Sequence, residues 1–307
     1  MTSPDDKSPT ADNANLRSII LMIAAMGCFT LADLLIKIAS QTLPIGQIMI
    51  GFGIGSSLIF WTLMAIKGEP IQVAPLRQPA VMLRNVGDIF GSISMCLALA
   101  YVPISIIGAV IQTVPLMLTA VAALFLGERV GVRRLSAILV GFSGVLFILQ
   151  PGASDFDAMV ILALVAAIGM AIRDIGTKLI SNDVSTLLLS FYASVLFALS
   201  GCLVLSITGG AVFPDNTALM LFFGMIALGS LGYVCVTNAI RLGEVSVVSP
   251  FRYSRLLFSV ATGIIILGEQ VDALMIFGCA LTVGAGLYIW RREFFLKASS
   301  QQPSGVR

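Results

Sequence analysis

Apolar runs of about 20 residues recur along the whole chain, and each is long enough to cross a bilayer as a helix. We read ten: 18–39, 45–66, 80–100, 104–126, 133–149, 158–180, 186–207, 217–240, 245–267 and 272–290. The runs are continuous and do not alternate with a period of two, which predicts helices and not the strands of a barrel. Residues 1–17 are rich in Ser, Asp and Asn and are expected to form a disordered cytoplasmic tail. A full-length span follows at once, unlike a cleavable signal. Residues 293–307 form the second cytoplasmic tail, and no segment remains for a soluble domain.

The polar positions inside these runs repeat. Asp33 and Lys37 recur 141 positions later as Asp174 and Lys178. At the same offset Ser40 meets Ser181, Ala98 meets Ala239, Ser105 meets Ser246, and Leu126-Gly127-Glu128 meets Leu267-Gly268-Glu269. One register held over such distances indicates a duplicated half. The predicted repeats are 18–149 and 158–292, with five spans each. Five is odd, so the second repeat enters the membrane upside down. The expected fold class is an all-α polytopic membrane protein of ten transmembrane helices in two inverted five-helix repeats. A duplicated half in a hydrophobic chain points to a transporter with its site between the halves.

Composition agrees. Of 307 residues 58% are hydrophobic and only 11% charged, against about 25% charged in a soluble domain. The sign distribution orients the chain. With both termini cytoplasmic, the inner segments hold Lys7, Arg17, Lys67, Arg77, Arg129, Arg133, Arg134, Arg241, Arg291, Arg292, Lys297 and Arg307. The outer loops hold Asp155, Asp157, Asp215 and Asp272 and no Lys or Arg, which is the positive-inside pattern. The five cysteines fall inside spans without paired spacing and read as buried structural thiols. The chain has no histidine, CxxC, GxSxG or P-loop. No metal site, cofactor, nucleic-acid partner or ATP-driven step is therefore expected, nor an enzyme's acid–base set.

Ionisable groups inside spans are costly and mark candidate function. Asp33 and Lys37 lie four apart near the outer end of the first span, and Asp174 and Lys178 lie near the inner end of the sixth. Two readings stand for each: a local ion pair with a snorkelling lysine, or a vestibule carboxylate serving gating or proton coupling. In the third span Arg84 and Asp88 are also spaced to pair, beside Asn85. Arg84 is about 6 Å inside the boundary, within snorkelling reach. Arg252 and Arg255 follow Pro250 in the ninth span, and Arg255 lies roughly 15 Å deep. Their guanidinium forks suit a carboxylate, a phosphate or a flat ring; the competing reading is that they only tie helices together. Arg173 adjoins Asp174, and Arg84, Arg173, Arg252 and Arg255 outnumber Asp88 and Asp174 by two. Converged, these six would favour a negative or dipolar ligand.

Pro115, beside Gln112 and Thr113, and Pro250 interrupt the fourth and ninth spans, where freed backbone groups build sites or merely bend helices. Gly51, Gly55, Gly141 and Gly144 read as packing faces, which also permit a homodimer. Trp61 and Trp290 near span ends read as interface anchors. The expected substrate contacts are Arg255, Arg252, Arg84, Tyr253, Gln112 and Asn85. Asp33 and Asp174 are expected to gate or couple protons; Asp88, Lys37 and Lys178 are expected in structural ion pairs.

The ten spans, the five-plus-five duplication and the Gly-Glu closing the fourth and ninth spans resemble the drug/metabolite transporter superfamily, EamA-domain branch, over roughly residues 17–292. That resemblance implies a bacterial inner-membrane carrier using alternating access, with the third, fourth, eighth and ninth spans around a central cavity. Ala32-Asp33, Leu83-Arg84, Arg173-Asp174 and Pro250-Phe251-Arg252-Tyr253 are similar to a subgroup with S-adenosylmethionine uptake transporters; riboflavin transporters belong to the same superfamily. Arg255 stands where the S-adenosylmethionine group carries an acid. An arginine suits a neutral or anionic compound, riboflavin-like, better than a sulfonium cation. The resemblance thus implies uptake of a small polar metabolite. Export of amino acids or related metabolites is the alternative in the same class; a membrane-embedded enzyme and a non-transporting receptor or structural protein are the alternatives outside it.

Overall fold

The computed structural model describes residues 9–125, 132–150, 157–181, 184–242 and 245–300. The described residues are helical with short connections, and eight helices are long and apolar enough to cross a membrane. They are α1 (Pro9–Ala39), α2 (Ile45–Lys67), α3 (Pro79–Tyr101), α7 (Ile161–Leu179), α8 (Thr186–Thr208), α9 (Asn216–Leu242), α11 (Ser254–Leu267, with the 3-10 turn before it) and α12 (Ala273–Ser300).

The predicted fourth span is broken. It consists of α4 (Ile104–Ile111) and α5 (Val114–Phe125), parted at Gln112-Thr113. Pro115 falls in the first turn of α5, where a missing N–H costs nothing. The predicted ninth span is broken as well: α10 (Val245–Val248) gives way to a 3-10 turn, Ser249–Tyr253, before α11 begins. The predicted fifth span is α6 (Val132–Leu149). Leu126-Gly127-Glu128 and Asp155 lie outside the described residues.

Helix ends follow local chemistry. Gly68 and Gly268 take left-handed φ of 68° and 66° and close α2 and α11, the conformation glycine adopts without strain. The acids of the expected outer loops start helices. Asp215 accepts from Ala218 N at 2.7 Å, Asp272 from Met275 N at 2.7 Å, and Asp157 from Met159 N at 2.8 Å. An aspartate here satisfies an orphan N–H and faces the positive end of the helix.

The most extensive helix pairings join the two halves of the sequence: α3 with α7, α1 with α9, α2 with α8, α6 with α12, and α4 with α11. Glycines bring some of these backbones into contact. A Cβ added at Gly169 of α7 would lie 2.4 Å from Gly91 Cα of α3, and one at Gly144 of α6 would lie 2.6 Å from Gly278 O of α12. Gly51 and Gly55 instead receive Phe222 and Ile226 side chains of α9, and Gly141 receives Leu116. The five cysteines are free; Cys96 is buried, but Cys202 is exposed, so the expectation of uniformly buried thiols is corrected. Many Leu, Ile, Val and Phe side chains face outward, as lipid-facing helices require.

Candidate functional site

The site has three parts, set by two helix crossings and the breaks between them. At the first crossing, Phe29 and Asp33 lie four apart on α1 and both meet the start of α11. Arg255 Nη2 donates to Asp33 Oδ2 at 2.6 Å, and the two side chains are only 16% and 14% exposed. The Arg255 guanidinium also lies 5.8 Å from the Phe29 ring centre, within cation–π range. Arg255, read from the sequence as a ligand contact, is thus held by a carboxylate and a ring.

Lys37 does not pair with Asp33. Its Nζ donates to Val102 O at 2.6 Å and Leu99 O at 3.2 Å. These are end carbonyls of α3, and a cation there meets the negative end of a helix. Lys178 is exposed in the last turn of α7, while Asp174 is engaged by Arg173. Neither i,i+4 lysine–aspartate pair that the spacing suggested forms among the described residues: Arg255 and Arg173 hold the aspartates, and Lys37 is bound to carbonyls instead.

At the second crossing, α3 and α7 share a network. Arg173 Nη2 lies 2.9 Å from Asp174 Oδ1, and its Nε donates to the same oxygen at 3.0 Å. Arg173 Nη1 is 3.8 Å from Asp88 Oδ1, and Arg84 Nη1 is 4.0 Å from Asp88 Oδ2. Arg84 also donates to Asn85 Oδ1 at 3.2 Å. It is 8% exposed, so it turns inward and does not snorkel.

The third part is where the broken helices meet. Gln112, buried at the α4–α5 break, donates to the backbone carbonyl of Arg252 at 3.4 Å. Tyr253 points away from this junction: a Cβ at Gly286 of α12 would overlap its hydroxyl. The Arg252 side chain is exposed, yet it stands within electrostatic range of Asp174, Arg173 and Arg255. Both charge sets therefore border one region. Among the described residues no carboxylate lies at ion-pair distance from Arg252. Four arginines (84, 173, 252, 255) face three aspartates (33, 88, 174), so Asp33 reduces the expected excess from two to one. Arg252 carries the uncompensated charge, and a guanidinium fork suits a carboxylate or another planar polar group. Among the described residues no group of three metal-ligating side chains gathers.

Sequence reading missed one residue. Glu269 Oε1 accepts from Ile104 N at 2.7 Å, and Oε2 accepts from Ser105 N at 3.0 Å and Ser105 Oγ at 2.6 Å. The signal was present, since Ser105 and Glu269 each recur in the same register, as Ser246 and Glu128.

Comparison with known proteins gives a consistent result. The chain is 28% identical over 211 residues to an S-adenosylmethionine uptake transporter of Rickettsia bellii, covering 68% of this chain and 71% of that protein. It is 30% identical over 196 residues to a riboflavin transporter of Rhizobium johnstonii, covering 64% of each. It is 26% identical over 281 residues to a pseudopaline exporter of Pseudomonas aeruginosa, covering 90% of this chain and 96% of that one. A crystal structure superimposes with a TM-score of 0.60 at 17% identity, covering 90% of this chain and 98% of the other, which supports the fold alone. The family and these relatives transport solutes and are not enzymes. The sequence profile of the EamA-like transporter family matches twice, at residues 16–150 and 157–291, and the chain belongs to that family.

Proposed function

We propose that the chain is a secondary active carrier that moves a small polar metabolite across a bacterial inner membrane by alternating access, with both termini cytoplasmic. In this reading the ten apolar segments, two of them broken, form two inverted five-segment repeats. The helix pairing supports it. Under the 141-residue offset, α3 with α7 and α1 with α9 are the same pairing seen from either half. The pairings α2 with α8 and α6 with α12 each join a helix to its own equivalent, as a two-fold axis requires, and α4 with α11 joins the first part of the broken fourth segment to the second part of the broken ninth.

The observation that carries the site is Arg252, an exposed residue at a helix break with no carboxylate at ion-pair distance among the described residues. It receives the anionic or polar group of the substrate. Gln112 and Asn85 serve as neutral contacts and Arg84 as a second cation, while Tyr253 steadies the broken segment against α12. Arg255 acts through Asp33 as a link between the halves, and Asp33 and Asp174 serve gating or proton coupling. Uptake of a neutral or anionic compound is favoured. Riboflavin is the first compound to test, because a relative carries that name. A second reading, export, is favoured by the relative that spans 90% of this chain.

The test is uptake of labelled riboflavin into cells expressing the chain, with Arg252→Ala alongside and membrane expression verified. Uptake lost in the variant, about a hundredfold if a desolvated charge-assisted contact is removed, supports the carrier and its site. Uptake unchanged in the variant rejects Arg252 as the contact. Absence of riboflavin uptake rejects riboflavin import, and the same assay on everted membranes then tests export.

A further inference from the structure

Glu269 lies outside both charge crossings. Gly268 ends α11, and the Glu269 N–H folds back onto Gly263 O at 2.9 Å, a glycine-dependent helix closure. That turn carries the Glu269 carboxylate to the first residues of α4, where three donors meet it: Ile104 N, Ser105 N and Ser105 Oγ. Two of them are orphan N–H groups of a helix start, whose partial positive charge favours an anion. A helix is ordinarily capped by a residue of its own sequence. Here Pro103 precedes α4 and supplies no side-chain cap, and the cap comes from a residue 164 positions away. Lys37, fastened to the end of α3, stands within electrostatic range of Glu269. One end of the bundle is therefore held by polar contacts between the end of α3, the start of α4 and the end of α11.

We propose that Glu269 is a detachable latch: its contact with the start of α4 closes one end of the passage between the halves and separates when that end opens. This rests on the carrier reading above and adds a positioning residue to it. Water replaces hydrogen bonds to a carboxylate and to backbone N–H groups at little net cost, whereas separated apolar surfaces have no such compensation. A polar clasp at the rim therefore suits a joint that opens and closes. Below it the joint is tight. Ile107, one turn into α4, is 1% exposed, and a Cβ at Gly108 would lie 2.3 Å from Ser259 Cβ of α11. Release of the latch exposes Ile107 to water.

The test introduces Ile107→Cys into the full chain in membranes and measures its labelling by a membrane-impermeant maleimide, with the chain lacking that change as background. It needs no substrate, so it succeeds or fails independently of riboflavin transport. Glu269→Gln removes the charge and two accepted bonds and is expected to raise the labelling rate about tenfold; Ser105→Ala removes one bond and should raise it about threefold. An unchanged labelling rate in both variants, even with a lowered melting temperature, makes Glu269 a structural cap only and overturns the latch. Should Glu269→Gln fail to fold, Ser105→Ala decides alone: a faster rate supports the latch and an unchanged rate overturns it.

Discussion

Asp33 and Asp174 occupy the same position in the two halves of the sequence, and their surroundings have diverged. Asp33 holds one partner, Arg255, on a helix from the other half. Asp174 is held by its own neighbour Arg173, which also reaches Asp88 of α3 beside Arg84. Stepping each partner by 141 residues shows how far the halves have drifted. Arg255 corresponds to Val114, Arg173 to Ala32, Asp88 to Gly229 and Arg84 to Met225. The carboxylate persists and its cations do not. The helix seams behind them differ in the same way. Gly91 meets Gly169 backbone to backbone, while its equivalent Gly232 meets the Phe29 ring and Cys28 side chain. Along α1 a single charged link to α11 lies beside an adaptable side-chain contact with α9, whereas α3 and α7 share a four-residue network over a rigid glycine contact. A single link can be made and broken as a unit; a network resists in steps.

The largest expected effect tests the single link. Arg255→Ala leaves Asp33 buried without its partner and should cost about 3 kcal/mol, measured by thermal unfolding of the purified protein in detergent. Asp33→Ala combined with it should cost at least about 1 kcal/mol less than the sum of the two single changes. Additive costs would mean the two residues are not one unit. Next comes the network. Arg173→Ala should cost about 2 kcal/mol, because its side chain is 34% exposed and Arg84 remains beside Asp88. A loss equal to that of Arg255→Ala would erase the contrast between one link and several. The smallest effect compares the seams. Gly169→Ala forces a Cβ onto backbone and should cost about 2 kcal/mol, whereas Gly232→Ala meets only movable side chains and should cost less than about 1 kcal/mol. Equal melting temperatures for the two would show that the seams yield alike.

Most of the helical framework was readable in advance. The span read as 80–100 is α3, Pro79–Tyr101, and the span read as 186–207 is α8, Thr186–Thr208; long apolar runs leave little else for the backbone to do in lipid. The breaks beside Pro115 and Pro250 were also signalled, because proline cannot donate the hydrogen bond that a helix interior needs and is tolerated in the first turn of a new helical segment, where both prolines lie. What escaped was partnership at a distance. Spacing of four along a helix suggested Lys37 for Asp33, but such spacing sees only neighbours on one face, and the partner is Arg255. Arg252 and Arg255 were both expected to contact substrate, yet the backbone from Ser249 to Tyr253 is 3-10. That turn leaves Arg252 exposed while Arg255 turns to Asp33. Glu269 was seen as a signature and not as a cap, because its acceptors are satisfied by a helix start 164 residues away.

The pairing of Asp33 with Arg255 also sets a clock on synthesis. The partner is 222 residues downstream, so at 5–20 residues per second a ribosome takes roughly 10–45 s to supply it. For that interval the nascent first half carries an acidic side chain in lipid without its cation. The partners of α1, α2, α3 and α6 are likewise all still to be made. The first half therefore enters the membrane as loosely associated helices awaiting their counterparts, and maturation of the whole bundle is timed by the arrival of α7 through α12.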